Sequence, residues 1–326
     1  MSGRILVLFA ICFSKMVVMN ALKLEEVELR MPGVLPAEDD MYMCHAAPLD
    51  PYHEHYIVKY KPHGSMHTAH HMLFYACSQP GTKEGAWVCG GMGSGGGKSG
   101  PTCEGEQKLI WAWAKNAPEL ALPDGVGFRV GGKTGFHYVV VQIHYMHAMK
   151  EPDYSGATVY TTLKPMPKEA AVTVLATGGT IKAHSTLYMD MTCKVTGGVE
   201  MHPFGFRTHT HGLGKVVSGY VVRDGKWLLI GKHNPQEPQM FYPVENKSLT
   251  IRKGDIMAAR CTMENHSNHN VETGATGHDE MCNFYIMYWV NASDAARDEG
   301  GCGGGDDYQW GKGELANVPL DASSLP

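Results

Sequence analysis

Two imidazoles and a guanidinium occupy alternate positions in the segment 207–211, where Arg207, His209 and His211 are separated by two threonines. In an extended strand, alternate side chains point to the same face, and threonine suits strands. The spacing therefore predicts one face on which two imidazoles could bind a metal ion beside an anion-binding cation. A zinc site and a cupin-type iron or manganese site both use such histidines, although residues 212–216 contain no cupin glutamate.

Further candidate ligands lie at the ends of predicted strands. His70 and His71 precede an apolar run that ends at Cys77. The segment 136–145 is dense in β-branched and aromatic residues, which indicates a strand, and it places Gln142 and His144 on the same face. These histidines are the nearest candidates to complete a metal site.

A methionine begins the last predicted strand, 281–289. Alternation places Met281, Asn283 and Tyr285 on one face and the apolar Phe284 and Ile286 on the other. The chain has 20 methionines, and a methionine normally packs in the core. The polar ends of Asn283 and Tyr285, however, would be unfavourable in an apolar core. Met281 is therefore a candidate thioether ligand.

The candidate ligands divide into two sets. The first set is nitrogen-only and comprises His70, His71 and His144; the second set is mixed and comprises His209, His211 and Met281. Thioether sulfur stabilises Cu(I) against Cu(II), whereas magnesium and calcium prefer oxygen. Two copper sites with different ligands indicate one site that binds oxygen and one that stores an electron, and hence an oxygenase.

Composition limits the fold and the partners. The 326 residues exceed one typical domain, and the prolines of segment 163–168 suit a linker. We predict domains over 22–165 and 166–302, followed by a flexible tail over 303–326. With 39 Gly, 18 Pro and short β-rich runs, the chain favours an all-β sandwich architecture with little helix. The formal charge of -5 gives no electrostatic support for a nucleic-acid partner.

The N-terminal segment 1–21 is typical of a secretory signal, with Arg4 followed by an apolar run. No later stretch reaches the roughly 18 to 20 apolar residues of a membrane span. We therefore expect a mature chain without a span, in the lumen of a secretory vesicle or secreted. Outside this signal the cysteines are even in number, which suggests two disulfides in each domain. Sequons at Asn246, Asn265 and Asn291 would be available for glycosylation.

Four ordered motifs resemble those of the copper- and ascorbate-dependent monooxygenases, particularly the members that hydroxylate peptides ending in glycine. They are His70-His71-Met72 followed by Cys77, the segment Gln142-Ile143-His144-Tyr145, the segment 207–211 and the segment 281–285. The resemblance spans roughly residues 30 to 302. It implies two jelly-roll-like antiparallel β-sandwich domains that face each other across a solvent-filled cleft.

The resemblance also implies the chemistry of the site. Two copper ions would bind per chain, with the first set storing an electron and the second set holding the copper where O2 and substrate meet. Ascorbate would be the reductant. Arg207, assisted by Asn283 and Tyr285, would bind the terminal carboxylate of a glycine-extended peptide, whose α-carbon is hydroxylated.

Further expectations follow from the same resemblance. The implied disulfides are Cys44–Cys89, Cys77–Cys103, Cys193–Cys302 and Cys261–Cys282. Because the chain ends soon after Cys302, we expect a separate lyase to convert the hydroxylated product into the amide. Two alternatives stay open, namely a dopamine β-monooxygenase-like hydroxylase and a non-catalytic secreted copper-binding protein.

Overall fold

A computed structural model describes residues 22–90, 99–295, 302–303 and 308–325. The predicted signal segment 1–21 lies outside the described residues. Those described form 21 β-strands and two short 3-10 helices, Gly132–Thr134 and Gly313–Leu315. The all-β prediction is confirmed, and no helix in the described ranges is long and apolar enough to cross a bilayer.

The strands fall into an N-terminal and a C-terminal group. The first group is β1 (Glu25–Arg30), β2 (Met41–Pro48), β3 (Glu54–His63), β4 (His71–Cys77), β5 (Ala86–Val88), β6 (Gln107–Ala114), β7 (Leu120–Ala121), β8 (Val126–Gly131), β9 (Tyr138–Tyr145) and β10 (Gly156–Thr162). The second group is β11 (Lys168–Thr177), β12 (Thr180–Ile181), β13 (Ser185–Val195), β14 (His202–His209), β15 (Gly214–Arg223), β16 (Lys226–His233), β17 (Tyr242–Pro243), β18 (Ile256–Asn265), β19 (Val271–Glu272), β20 (Cys282–Asn291) and β21 (Cys302–Gly303).

The N-terminal group forms a sandwich. Its antiparallel sheet β5-β2-β9-β4-β6 packs against the strands β1-β10-β3-β8 through one apolar core. Tyr60 of β3 stacks on Trp111 of β6 with ring centroids 4.9 Å apart, which joins the two layers. Since β4 and β9 lie in the middle of their sheet and are buried on both faces, they can be almost continuously apolar.

The C-terminal group forms a second sandwich, in which the sheet β16-β15-β18-β13-β21 packs on the strands β11-β20-β14-β17. The rings of Phe284 and Phe206 lie where the Cβ atoms of any other residue at Gly219 and Gly231 would be, so both positions require glycine. A parallel pairing of β8 with β11 joins one layer of each sandwich into a single nine-stranded sheet, to which β7 also belongs.

Strand β20 contributes to both cores, and the predicted alternation of its side chains is confirmed. Phe284 and Ile286 lie in the core of the C-terminal sandwich. Tyr285 and Met287 point the other way and pack into the core that the N-terminal sandwich builds. The two halves therefore share apolar packing at this strand.

Three disulfides lie in the described residues, namely Cys44–Cys89, Cys77–Cys103 and Cys261–Cys282. They are three of the four pairs that the family resemblance implies. Cys193 is also disulfide-bonded. The side chain of its expected partner Cys302 lies outside the described residues, although β13 pairs with β21 next to it. That pairing stays a prediction.

The expectation of a flexible tail is wrong for residues 308–325. Trp310 and Leu315 are buried against β15 and β18, and the Ser218 hydroxyl donates to the Ala322 carbonyl at 2.8 Å. In the sequence, the run of Gly and Asp before residue 308 suggested a flexible segment and drew attention away from Trp310 and Leu315. The segment instead covers the outer face of the C-terminal sandwich.

One smaller expectation also changes. The sequon at Asn265 is not available for glycosylation, because its side chain is buried and its amide donates to the carbonyls of Ile181 and His269.

Candidate metal centre

The first set is assembled by strand register. Strands β4 and β9 are antiparallel neighbours in which His71 pairs directly with His144. His70 precedes β4, and its backbone N–H donates to the His144 carbonyl at 2.9 Å. The three side chains each bring one potential ligand nitrogen into a group whose atoms lie within 4.8 Å of one another. The structure thus brings together the three residues that the sequence analysis grouped. Their role as metal ligands stays a prediction.

Burial keeps these imidazoles neutral at pH 7. It lowers the pKa of His70 and of His144 to about 4, and that of His71 well below its usual value. The Nδ1 atoms of His71 and His144 have no hydrogen-bond partner among the described residues. Because a buried polar atom without a partner is costly, these nitrogens fit a site that binds a metal ion.

The second set lies at the ends of two paired strands. His209 is the last residue of β14 and pairs with Asn283 of β20, while Met281 immediately precedes β20. His209 Nε2 and Met281 Sδ lie 3.3 Å apart. The expectation that His211 shares the strand face is wrong, because β14 ends at His209. His211 reaches the set from the following turn, with its ring centroid 5.5 Å from that of His209.

Hydrogen bonds to neighbouring groups orient both histidines of the second set. His209 Nδ1 donates to Gln239 Oε1 at 2.6 Å, and His211 Nδ1 donates to the Asp279 carbonyl at 2.7 Å. These bonds leave Nε2 of each ring as the potential ligand atom. Within the described chain, Nε2 of His211 has no hydrogen-bond partner. Burial holds the pKa of His209 well below its usual value, so its imidazole is neutral.

A buried carboxylate holds the turn that carries His211. Glu280 is 1% exposed, and its two oxygens accept hydrogen bonds from the backbone N–H groups of His211 and Leu213 at 2.9 and 2.6 Å. Sequence reasoning missed both Glu280 and Gln239. The only feature of the sequence that could have pointed to Glu280 is its position next to Met281. No feature points to Gln239, which lies in a proline-rich segment with no periodic pattern.

Arg207 is buried beside the second set. Its Nε donates to the Gln239 carbonyl at 2.9 Å, and its guanidinium lies over the Tyr285 ring at 5.0 Å. Asn283 Nδ2 donates to the Tyr285 hydroxyl at 3.4 Å. The Nη1 atom of Arg207 has no acceptor in the described part of the chain, although the residue is only 1% exposed. This cation is therefore poised to bind an anion.

The two sets lie in direct contact. The ring centroids of His70 and His211 are 5.6 Å apart, and those of His71 and His209 are 5.7 Å apart. The solvent-filled cleft that the resemblance implies is therefore not seen between the two sets. Strand ends of both sandwiches meet here, so that five imidazoles and one thioether lie in one region.

Two other side chains near the site do not join it. Gln142 shares the face of His144, but its amide donates to the Gly90 carbonyl at 2.7 Å and to the Thr102 hydroxyl at 2.9 Å. It therefore ties a disulfide-bonded loop to β9. His147, which lies beyond β9, is exposed.

Comparison with known proteins gives a consistent result. The family model for the N-terminal domain of the copper type II ascorbate-dependent monooxygenases matches residues 27–152, and that for the C-terminal domain matches residues 168–302. Peptidyl-glycine alpha-amidating monooxygenase A of Xenopus laevis is 40% identical over 305 residues, which are 91% of this chain and 31% of that protein.

Two further relatives show how similarity falls within this group. Peptidylglycine alpha-amidating monooxygenase of Rattus norvegicus is 41% identical over 273 residues, covering 82% of this chain and 27% of that protein. Dopamine beta-hydroxylase of Homo sapiens is 24% identical over 297 residues, covering 81% of this chain and 46% of that protein. The chain thus spans less than a third of the length of the two amidating relatives.

Proposed function

Because the chain belongs to the copper type II ascorbate-dependent monooxygenase family, we propose that it hydroxylates the α-carbon of a C-terminal glycine in peptides, with O2 and ascorbate as co-substrates. One observation carries the choice of substrate. Arg207 is a buried cation, and both its guanidinium and His209 bond to the side chain of Gln239, at 3.3 and 2.6 Å. A carboxylate bound by Arg207 would lie beside the second set, and the carbon next to it would be the α-carbon of glycine.

Two copper ions per chain are the proposed metal content. His70, His71 and His144 would hold the copper that stores an electron, and His209, His211 and Met281 would hold the copper that meets oxygen and substrate. Neutral imidazoles and orphaned ring nitrogens support both assignments. When bound, copper would supply one-electron redox chemistry and oxygen activation, with the thioether of Met281 favouring Cu(I).

The protein groups would bind and orient the peptide terminus. Arg207 would form charge-assisted hydrogen bonds to the terminal carboxylate through its free Nη1 edge. The guanidinium of Arg207 packs on the Tyr285 ring, and Asn283 donates a hydrogen bond to the Tyr285 hydroxyl. Asn283 and Tyr285 would thereby fix the orientation of Arg207 and of the carboxylate that it binds. Burial of all three side chains would exclude water and strengthen these bonds.

The same cation argues against the two alternatives. A phenethylamine substrate of a dopamine β-monooxygenase-like enzyme carries an ammonium group, which Arg207 would repel. The lower identity to dopamine beta-hydroxylase agrees with this argument. A non-catalytic copper-binding protein would need the two sets but not a buried Arg207 with an unpaired edge.

The proposal extends to the surroundings of the reaction. Disulfides persist in oxidising compartments, which supports the secretory vesicle lumen or secretion as the location. The product would be an α-hydroxyglycine peptide, and a separate lyase would convert it into the peptide amide and glyoxylate. The division into domains at 165/166 stays a prediction.

The direct test is mass spectrometry of a glycine-extended peptide after incubation with the protein, copper, ascorbate and oxygen. We expect a mass increase of one oxygen atom. Matched reactions use the same peptide with an amidated terminus and a phenethylamine, neither of which should react. Oxidation of the phenethylamine alone would favour the hydroxylase alternative, and copper binding without any product would favour the copper-binding alternative.

A further inference from the structure

One carboxylate touches both halves of the metal centre. Asp40 lies in the turn before β2, and its Oδ1 accepts hydrogen bonds from His144 Nε2 at 3.1 Å and from the Gly277 N–H at 2.7 Å. His144 belongs to the first set, whereas Gly277 lies in the loop that leads into Met281. We propose that Asp40 is a positioning residue that couples the two metal sets. This inference rests on the ligands assigned in the proposed function.

Within the first set, Asp40 fixes the tautomer of a ligand. A carboxylate only accepts, so His144 carries its proton on Nε2 and presents the lone pair of Nδ1 to the other two histidines. Tyr42 stacks on the same ring, with centroids 4.2 Å apart and planes at 4°. The ring of His144 is thus held on one face and at one nitrogen.

The loop on the other side of Asp40 is tied to itself and to the second set. The Gly274 N–H donates to the Glu280 carbonyl at 3.0 Å, and the Thr276 hydroxyl donates to Asp279 at 2.8 Å. The Asp279 carbonyl accepts the hydrogen bond that orients His211. A displacement of this loop therefore moves the partner of His211 and the start of β20 together.

A second contact docks the same loop on the N-terminal sandwich. The Tyr42 hydroxyl donates to the Ala275 carbonyl at 2.7 Å. A Cβ atom at Gly277 would lie 3.1 Å from Asp40 Oδ1, so any other residue at this position would crowd the carboxylate. Asp40 and Tyr42 thus hold His144 from one side and the loop of Met281 from the other.

A coupling of this kind is reciprocal. Copper bound to the first set fixes His144 and, through Asp40, favours the docked loop, in which the second set is assembled. Copper bound to the second set favours docking of the loop and thus the position of His144 by the same factor. The residue acts through other groups, because it is not itself among the proposed ligands.

Hydrogen exchange of the full-length chain tests the contact without any metal. In wild type we expect the Gly277 amide to be protected, and we expect Asp40→Ala to lose that protection. The matched control is Asp39→Ala, since Asp39 accepts from the Ala148 N–H at 2.8 Å and forms no hydrogen bond with His144 or the loop in the described residues. Its one link to the loop within the described chain is an electrostatic attraction to His278. Equal protection of Gly277 in wild type and Asp40→Ala would overturn the inference.

Copper binding tests the coupling itself. In a His211→Ala background, which leaves the first set intact, Asp40→Ala should weaken Cu(II) binding about 10- to 100-fold by chelator competition, as for other partners of ligand histidines. In the same His211→Ala background, copper should also increase protection of the loop 273–280 when Asp40 is present but not in Asp40→Ala. Unchanged affinity, or an equal increase in both proteins, would overturn the coupling.

A milder variant keeps the inference testable where Asp40→Ala does not fold. Tyr42→Phe retains the stacked ring and removes only the bond to Ala275. It should therefore speed exchange of the loop and weaken copper binding less than Asp40→Ala does, because the bond from His144 to Asp40 remains. Unchanged exchange in this variant would contradict docking. If no protein binds copper at the first set, the proposed function fails, whereas the metal-free exchange still decides the Asp40 contact.

Discussion

The two sets of proposed metal ligands are built in different ways. In the first set, His71 and His144 are cross-strand partners in the middle of a buried sheet, and Asp40 supplies the one side-chain hydrogen bond to their ring nitrogens in the described residues. In the second set, His211 and Met281 lie outside strands, and separate groups orient each histidine. Backbone pairing places the first set, whereas side-chain hydrogen bonds place the second.

This difference teaches where each set should be sensitive to change. Sheet register is shared by many backbone hydrogen bonds, so no single outer contact decides where the backbone of His71 or His144 lies. Asp40 sets only the tautomer and the ring orientation of His144. The second set depends on Gln239, Glu280 and the Asp279 carbonyl, each of which holds one ligand or its turn. Substitutions near the second set should therefore alter chemistry with little change in the first.

Replacement of the thioether should have the largest effect. Met281→Leu conserves volume and removes the soft sulfur, so we expect the fold to remain and turnover to fall by more than about 100-fold, beyond the usual cost of losing an outer partner. X-ray absorption of the reduced protein should lose its sulfur scatterer. Met263→Leu, at a fully buried core position, is the matched control and should retain both the turnover and the sulfur scatterer of wild type. A fully active Met281→Leu would refute the mixed-ligand assignment.

Loss of the buried cation should affect substrate binding rather than either metal set. Arg207→Gln removes a charged hydrogen-bonding partner, which costs about 1.5–3 kcal/mol and corresponds to roughly a 10- to 150-fold rise in KM for peptides that end in free glycine. Copper affinity should stay unchanged. Arg260→Gln, which removes a cation paired with Asp190 on the outer sheet, should leave KM unaltered. An equal rise in both variants would assign Arg207 another role.

Removing the hydrogen bond between His209 and Gln239 should affect the second set and leave the first set unchanged. Gln239→Leu should lower kcat/KM about 10- to 100-fold, because His209 loses its orienting acceptor and Arg207 loses a partner. The Cu(II) spectrum of the first set should not change. Gln142→Leu is the matched variant, since that amide bonds to a loop and to no ligand. If both variants impair turnover equally, the contrast between the sets is wrong.

The sequence singled out the candidate ligands, which the structure brings together, but few of the groups that orient them. The alternation of β20 is a local pattern and is kept in the fold. The alternation of segment 207–211 is kept only as far as His209, because β14 ends there. Strands β6 and β18 escaped prediction because long runs of both are buried on both faces, which removes the period of two, and because both contain fewer β-branched residues than β9. Gln239 reaches His209 only because the fold closes a gap of 30 residues, and no local pattern announces such a contact.

Substitutions in the C-terminal segment 308–325 should have the smallest effect on turnover. They therefore test whether the difference between the two sets reflects the stability of the fold. Leu315 is completely buried on the outer sheet, so Leu315→Ala should destabilise the fold by about 2–5 kcal/mol in thermal or denaturant unfolding. Leu320 is fully exposed in the same segment, and Leu320→Ala should change stability by no more than about 0.5 kcal/mol. At temperatures where both variants are folded, turnover and the copper affinity of both sets should match wild type, because no residue of 308–325 touches a ligand among the described contacts. A selective loss of copper from the second set in Leu315→Ala would show that this set depends on the stability of its sandwich, and not only on the hydrogen bonds of Gln239 and Glu280.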